Sequence, residues 1–444
     1  MIRTVRGRLL PCALVAAIWA VTAEAQIPAG SEFQVNSFTT SAQERASVSS
    51  DANGNFVVVW SSSGDQDGSG TAVLGQRFSA SGIAQGSEFR VNSYTTMNQT
   101  DPTVTSDPSG KFVVVWESNG QDGYGDGVFG QRFDSFGVAE GSEFQVNSYT
   151  TSFQSGPSVA SDANGNFVVV WQSRKQDGDE EGIFGRRFSA SGVAQGSEFR
   201  VNSYFTNRQI VASVASDTDG DFVVVWQSQG QDGNGYGVFG RRFDSSGAAQ
   251  GSEFRVNSYT TGIQGVASVA SGASGNFVVA WASIAQYGDP PRVFGQRFDA
   301  AGSAVGSEFP VSSHTTSDQS AASVASDVNG SFVVVWDGYG PDENYRGIFG
   351  RRFDASGAAQ GTDFRVNTYT TSIQRQASVA SNPDGDFVVV WESQNQDGNS
   401  YGVFGQRFIL PTVTPTPTVT PTPTVTPTPT PKFCGCVTKR AESA

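Results

Sequence analysis

The chain has 444 residues, 52 of them glycine, a single histidine and a formal net charge of −14. An acidic surface repels phosphate backbones, which excludes nucleic acid as a natural partner, and one histidine excludes histidine-built metal sites. Apolar residues come in short runs, which excludes long amphipathic helices and favours short strands joined by tight turns.

Arg3, Arg6 and Arg8 precede the apolar run 9–21 and the sequence Ala23-Glu24-Ala25. This is the order of a secretory signal peptide, so residues 1–25 are expected to be removed, leaving an exported chain with no transmembrane segment. Cys12 lies inside that segment and lacks the small residues that precede a lipoprotein cysteine.

From residue 30 to residue 408 one unit returns seven times, with its tryptophan at Trp60, Trp116, Trp171, Trp226, Trp281, Trp336 and Trp391. A fixed period of this size marks a repeat architecture. In the third copy, Ser158-Val159-Ala160-Ser161 reads as a short strand and Asp162-Ala163-Asn164-Gly165 as a turn. Phe167 to Trp171 has no polar alternation, so that strand is expected to be covered on both faces. Ile183 to Phe188 is a third strand, whose Gly185 leaves room for a large neighbour such as the tryptophan. Glu198 to Asn202 alternates as a half-exposed fourth strand should. Four strands repeated seven times predict an all-β, seven-bladed β-propeller over residues 26–410, closed by strand pairing. Separate β-sandwiches would need units about 100 residues long, and this one offers half that.

The order S-V-A-S-D-x-x-G-N-F-V-V-V-W followed by G-V-F-G-Q-R-F-D-x-S-G resembles the blades of NHL-type propellers. Its D-x-x-G-N/D-F turn is similar to a reduced FG-GAP blade. The whole unit resembles tandem FVVVWxSxxQDGxxYGVFGQRFD repeats of secreted bacterial proteins. The resemblance implies a propeller and leaves activity open.

If the strands run outward in chain order, the loop after the tryptophan and the loop after the fourth strand share one face, where a ligand is expected. The first loop carries Asp67, Asp122, Asp177, Asp232, Asp342 and Asp397, with Tyr287 replacing the acid in the fifth copy. Asp177, Asp179, Glu180 and Glu181 form the richest acidic run and are the candidate ligands for a possible calcium ion, the one cofactor considered. The alternative is that these acids cap their own turns. The second loop carries Tyr94, Tyr149, Tyr204, Tyr259 and Tyr369, with Phe38 and His314 at the equivalent places, either as an aromatic ring for sugar or peptide or as packing.

Carboxylate pairs for glycoside hydrolysis are unreadable from spacing alone. A catalytic site should break the symmetry in one or two repeats, and the fifth does so at Gly272 and Tyr287 to Pro291 by losing acids. The expectation is therefore a non-enzymatic, monomeric binding scaffold for extracellular carbohydrate or protein, with a carboxylate-based hydrolase or lyase of polysaccharide as the alternative. A passive spacer is the third reading. Residues 411–431 are Thr-Pro units expected to form an extended polyproline stalk, and 432–444 a short tail holding Cys434 and Cys436.

One expectation concerns the chain ends. Each copy has an arginine before the phenylalanine of its third strand and an acid eleven residues later, as in Arg77 with Glu88 or Arg187 with Glu198. A hairpin would set these opposite one another. Arg407 lacks such an acid and Glu32 lacks such an arginine, so Glu32 to Asn36 is expected beside Val403 to Phe408, with Glu32 near Arg407.

Overall fold

A computed structural model describes residues 26–410 and Gly435, except 65, 285, 287–289, 315–316 and 341–344. The expected signal peptide, stalk, Cys434, Cys436, Tyr287 and Asp342 lie outside the described residues.

The described chain is all-β, built of repeated four-stranded antiparallel units arranged as a β-propeller. In the third repeat the strands are Gln154–Ser161, Phe167–Arg174, Glu181–Phe188 and Phe199–Arg200, in that order across the sheet. Trp171 stands opposite Phe184, and Phe167 opposite Phe188. The uninterrupted apolar run of the second strand follows from its position between neighbouring sheets. Val113 and Val115 of one sheet pack against Phe167, Val169 and Trp171 of the next, while Val168 and Val170 pack against Val214, Phe222 and Trp226 of the one after. Alternate side chains therefore bury on opposite faces. Among the described residues, no helix is long and apolar enough to cross a membrane.

Gly185 makes room for a different partner from the one expected. A Cβ there would lie 2.8 Å from Cζ of Phe199, so the glycine accommodates the outer-strand phenylalanine rather than the tryptophan. Phe199 in turn stands 5.4 Å from Phe243 of the next sheet, which stacks on Phe222 at 5.0 Å.

The first strand of every repeat carries an irregularity, between Ser155 and Ser158 in the third. Its residues are Arg45, Asp101, Gly156, Val211, Val266, Ala321 and Gln376, all with φ between 48° and 59°. This left-handed conformation is strained for valine in particular, and such bulges turn a backbone N–H away from its own ladder.

Near the N-terminus, Ile27–Pro28 and Phe33–Gln34 both pair with Tyr401–Ile409, Phe33 opposite Gly405 and Gln34 opposite Phe404. Phe33 packs 5.3 Å from Phe78 and 6.1 Å from Phe56 of the first repeat. The expected arginine–acid pairs do not form. Arg77 and Arg132 donate to the carbonyls of Phe136 and Ser191 in the following repeat, each at 2.7 Å, and Arg407 reaches Ser81 O at 2.5 Å. Glu88 accepts from Ser37 N at 2.8 Å, and Glu32 accepts from Thr368 N at 2.6 Å. Outside the fifth repeat the fourth strand is two residues long and begins after the acid, which leaves the acid free to bind the preceding repeat; in the fifth, Ala304–Pro310 includes Glu308, which still accepts from Ser258 N of the preceding repeat at 2.8 Å.

Candidate functional site

The predicted loop residues are held in place by their own scaffold. Asp67 Oδ2 accepts from Asn92 Nδ2 at 3.0 Å, Asp122 from Asn147 at 3.3 Å and Asp397 from Asn36 at 3.4 Å. Their other oxygens cap the turn two residues on, at Ser69, Tyr124 and Asn399. Asp177 and Asp232 cap Asp179 and Asn234 in the same way. Of the two readings offered for these acids, the geometry displays turn capping. The asparagines of this column, Asn92, Asn147, Asn202, Asn257 and Asn367, donate to the carbonyls of Tyr94, Tyr149, Tyr204, Tyr259 and Tyr369 at 2.6 to 3.0 Å, and each of these tyrosines is partly buried.

The acids proposed for calcium are spent separately: Glu181 pairs with Arg208 at 2.8 Å and Asp179 accepts from Asn207 N at 3.0 Å. Among the described residues, no group of three or more acidic, histidine or cysteine side chains is placed to hold a metal ion.

A different set of residues converges on the same face, at the start of the first strands and the end of the second. The position after each tryptophan holds Ser61, Glu117, Gln172, Gln227, Ala282, Asp337 and Glu392. Its side chain reaches the bulged N–H of the following repeat: Gln172 Oε1 takes Val211 N at 3.1 Å, Gln227 takes Val266 N at 3.0 Å, and Glu117 takes Gly156 N at 2.6 Å. Glu392, in the last repeat, takes Arg45 N in the first at 2.5 Å. In repeats 1, 3, 4 and 5 the position is neutral. In repeats 6, 7 and 2 it is a carboxylate.

Around these acids the remaining charges collect. Arg375, opposite Glu392 across the strands, binds it at 2.8 Å, reaches Glu44 at 3.0 Å and lies 4.1 Å over the Tyr401 ring. Arg346 holds Asp337 at 2.9 Å. Arg45 forms an ion pair with Asp101, and Asp101 hydrogen-bonds Glu117. Asp126 stands near enough for its charge to bear on Glu117 and accepts from Asn119 Nδ2 at 2.6 Å.

Burial pushes the Glu117 carboxyl up to about 8, reinforced by the charge of Asp101 and opposed by the Gly156 N–H. Burial also raises Glu392, which is fully buried, against the pull of the Arg45 N–H and Arg375. Asp337 is raised by burial against Arg346. A carboxyl that keeps its proton at neutral pH beside other carboxylates is the arrangement required for acid catalysis. Aligning the repeats on their tryptophans exposes three acids at one column, which was the available signal for this site.

No protein-family model and no curated sequence matches the chain. Solved structures do. A protein of unknown function from Dyadobacter fermentans DSM 18053 is 11% identical with a TM-score of 0.51, over 87% of this chain and 99% of that one. The β-propeller domain of the trilobed protease of Pyrococcus furiosus is 10% identical with a TM-score of 0.47, over 83% and 94%. The GH93 α-L-arabinofuranosidase of Fusarium graminearum is 10% identical with a TM-score of 0.45, over 86% and 98%. Endo-arabinanases and a sialidase also match. Identities this low show the fold alone.

The expectation of a non-enzymatic scaffold is nevertheless corrected. The premise behind the expectation, that no asymmetric set of reactive groups exists, fails at Glu117, Asp337 and Glu392.

Proposed function

We propose that the protein is an extracellular carboxylate-based glycoside hydrolase acting on polysaccharide, with Glu117 as its proton donor. The observation that carries this reading is the Glu117 carboxyl, raised to about 8, hydrogen-bonded to Asp101 and backed by the Gly156 N–H. A glycosidic oxygen leaves poorly as an alkoxide, so cleavage needs a proton delivered as the bond breaks. Positive charge then develops on the sugar ring, where Asp101 and Asp126 supply the opposing negative charge, and water adds at the anomeric carbon, giving its proton to a carboxylate. The bulge presents the Gly156 N–H to Glu117 Oε1 at 2.6 Å.

The same reading takes the seven repeats as seven blades of a closed ring. Supporting it are the pairing of Phe33–Gln34 with the last sheet and the packing of Gln374–Ser381 against Gln43–Ser50. Export through residues 1–25 and display on the Thr-Pro segment complete the proposal.

The test is release of reducing ends from a panel of plant and microbial polysaccharides by wild type and Glu117→Gln. Loss of a positioned general acid is expected to cost about 10²- to 10⁴-fold. Wild-type activity should fall as pH rises through about 8, when Glu117 loses its proton. A glutamine variant with wild-type turnover and an unchanged pH profile would overturn the assignment.

A further inference from the structure

On the side of Glu117 that faces repeat 3, the loop after the second strand is flanked by exposed aromatic and apolar side chains. Tyr124 is 58% exposed and Phe153 40%. The Tyr124 and Phe153 rings meet edge to face with centroids 6.4 Å apart. Both are tied to the catalytic candidates by short lengths of chain. Tyr124 precedes Asp126 by two residues, and Phe153 precedes Gly156, which binds Glu117, by three.

Three features fix this geometry. An added Cβ at Gly125 would lie 3.1 Å from the Phe153 ring, so the glycine seats the phenylalanine against the loop. Phe153 O also accepts from Arg174 N at 2.9 Å, which pins its backbone to the third sheet. The Tyr124 turn is capped by Asp122 at 3.1 Å. Two aromatic rings that pack edge to face and remain exposed leave apolar faces in water that an apolar surface would cover.

We propose that Tyr124 and Phe153 form a sugar-binding subsite beside Glu117, taking the C–H face of a ring in an uncharged polysaccharide away from the scissile bond. The inference rests on the hydrolase reading for its occupant. A sugar ring offers one apolar face and a polar edge, which suits rings whose surroundings are polar. Asp122, which caps Tyr124 N, and Asp126, two residues beyond it, lie next to the platform, and their charge disfavours polymers of uronic acid or sulfated sugar. An extended neutral chain is therefore the occupant.

Affinity electrophoresis tests this without requiring turnover. Wild type, Tyr124→Ala, Tyr124→Ala/Phe153→Ala and Glu117→Gln are run in gels containing arabinan, arabinoxylan, galactomannan or polygalacturonate. Wild type and Glu117→Gln are expected to be retarded by at least one neutral polymer. The double variant should bind that polymer roughly tenfold more weakly, and Tyr124→Ala should fall between them. Retardation of the double variant equal to wild type overturns the proposal, as does preferential binding of polygalacturonate or no wild-type retardation at all. Because Glu117→Gln is scored separately for turnover, inactive wild type with ring-dependent retardation refutes the hydrolase and keeps the subsite. Active wild type with ring-independent retardation does the reverse.

Discussion

At the scale of single residues, one column of the repeat separates structural from chemical duty. The residue after the tryptophan caps the next bulge as glutamine in repeats 3 and 4 and as glutamate in repeats 2 and 7, so Gln172 and Glu117 do the same structural work. Only the carboxylate adds a proton that can move. Burying it has a stability consequence. Because the folded-state values of Glu117 and Glu392 are raised, the folded chain binds more protons than the unfolded chain above the ordinary carboxylate range. Their contribution to stability is therefore complete at low pH and lost as pH rises toward about 8, where Glu117 ionises. Thermal unfolding measured from pH 5 to pH 9 should show the melting temperature falling across that window, with a shallower fall for Glu117→Gln; identical slopes would contradict it. Gly185 makes a second residue-scale prediction. Its Cβ-free surface touches Phe199, so Gly185→Ala should cost about 1 to 3 kcal/mol in urea unfolding through overpacking, whereas a room-giving role toward Trp171 would leave Phe199 unaffected.

At the scale of elements, the second strand was legible from sequence because a sheet covered on both faces demands an unbroken apolar run, as in Phe167 to Trp171. The fourth strand was legible as a strand and misjudged in length. Its alternation over Glu198 to Asn202 reflects a two-residue pairing at Phe199–Arg200, followed by Asn202, whose side chain binds Ile183 N at 2.7 Å and Gln209 at 3.0 Å. A polar residue that serves as a buried bracket looks, in sequence, like an exposed one. The N-terminal element has a direct test. Phe33–Gln34 completes the last sheet and Val35 is 5% exposed, so removal of residues 26–36 strips backbone pairing and two apolar side chains. Burial of those two side chains alone is worth about 3 to 6 kcal/mol. Circular dichroism melting of the shortened chain should show a lower transition for the whole propeller, and an unchanged transition would show the segment to be dispensable.

At the scale of the whole molecule, the architecture rests on repetition, and repetition is what conceals the site. The seven copies determine, without any tertiary information, the four-stranded unit, its turns and its doubly covered strand, since each follows from local pattern and period. The predicted loop acids were prominent because they recur, yet recurrence suits a structural bracket such as Asp67 with Asn92. Charge differs where copies differ. Ser61, Ala282 and the two glutamines stand where Glu117, Asp337 and Glu392 supply charge, and no single copy reveals this. Which charges meet was decided only by the fold. Arg45 N and Glu392 are separated by 347 positions and lie 2.5 Å apart. They meet because the first strand of repeat 1 packs against the first strand of repeat 7. That contact places repeats 6, 7, 1 and 2 side by side and gathers Asp337, Glu392, Arg45, Asp101 and Glu117 on one side of the face. A local pattern specifies a strand because its hydrogen bonds and apolar faces are local. The proximity of Glu117 to Asp101, and of Arg45 to Glu392, depends on how successive sheets pack, and that geometry is a property of the assembled propeller alone.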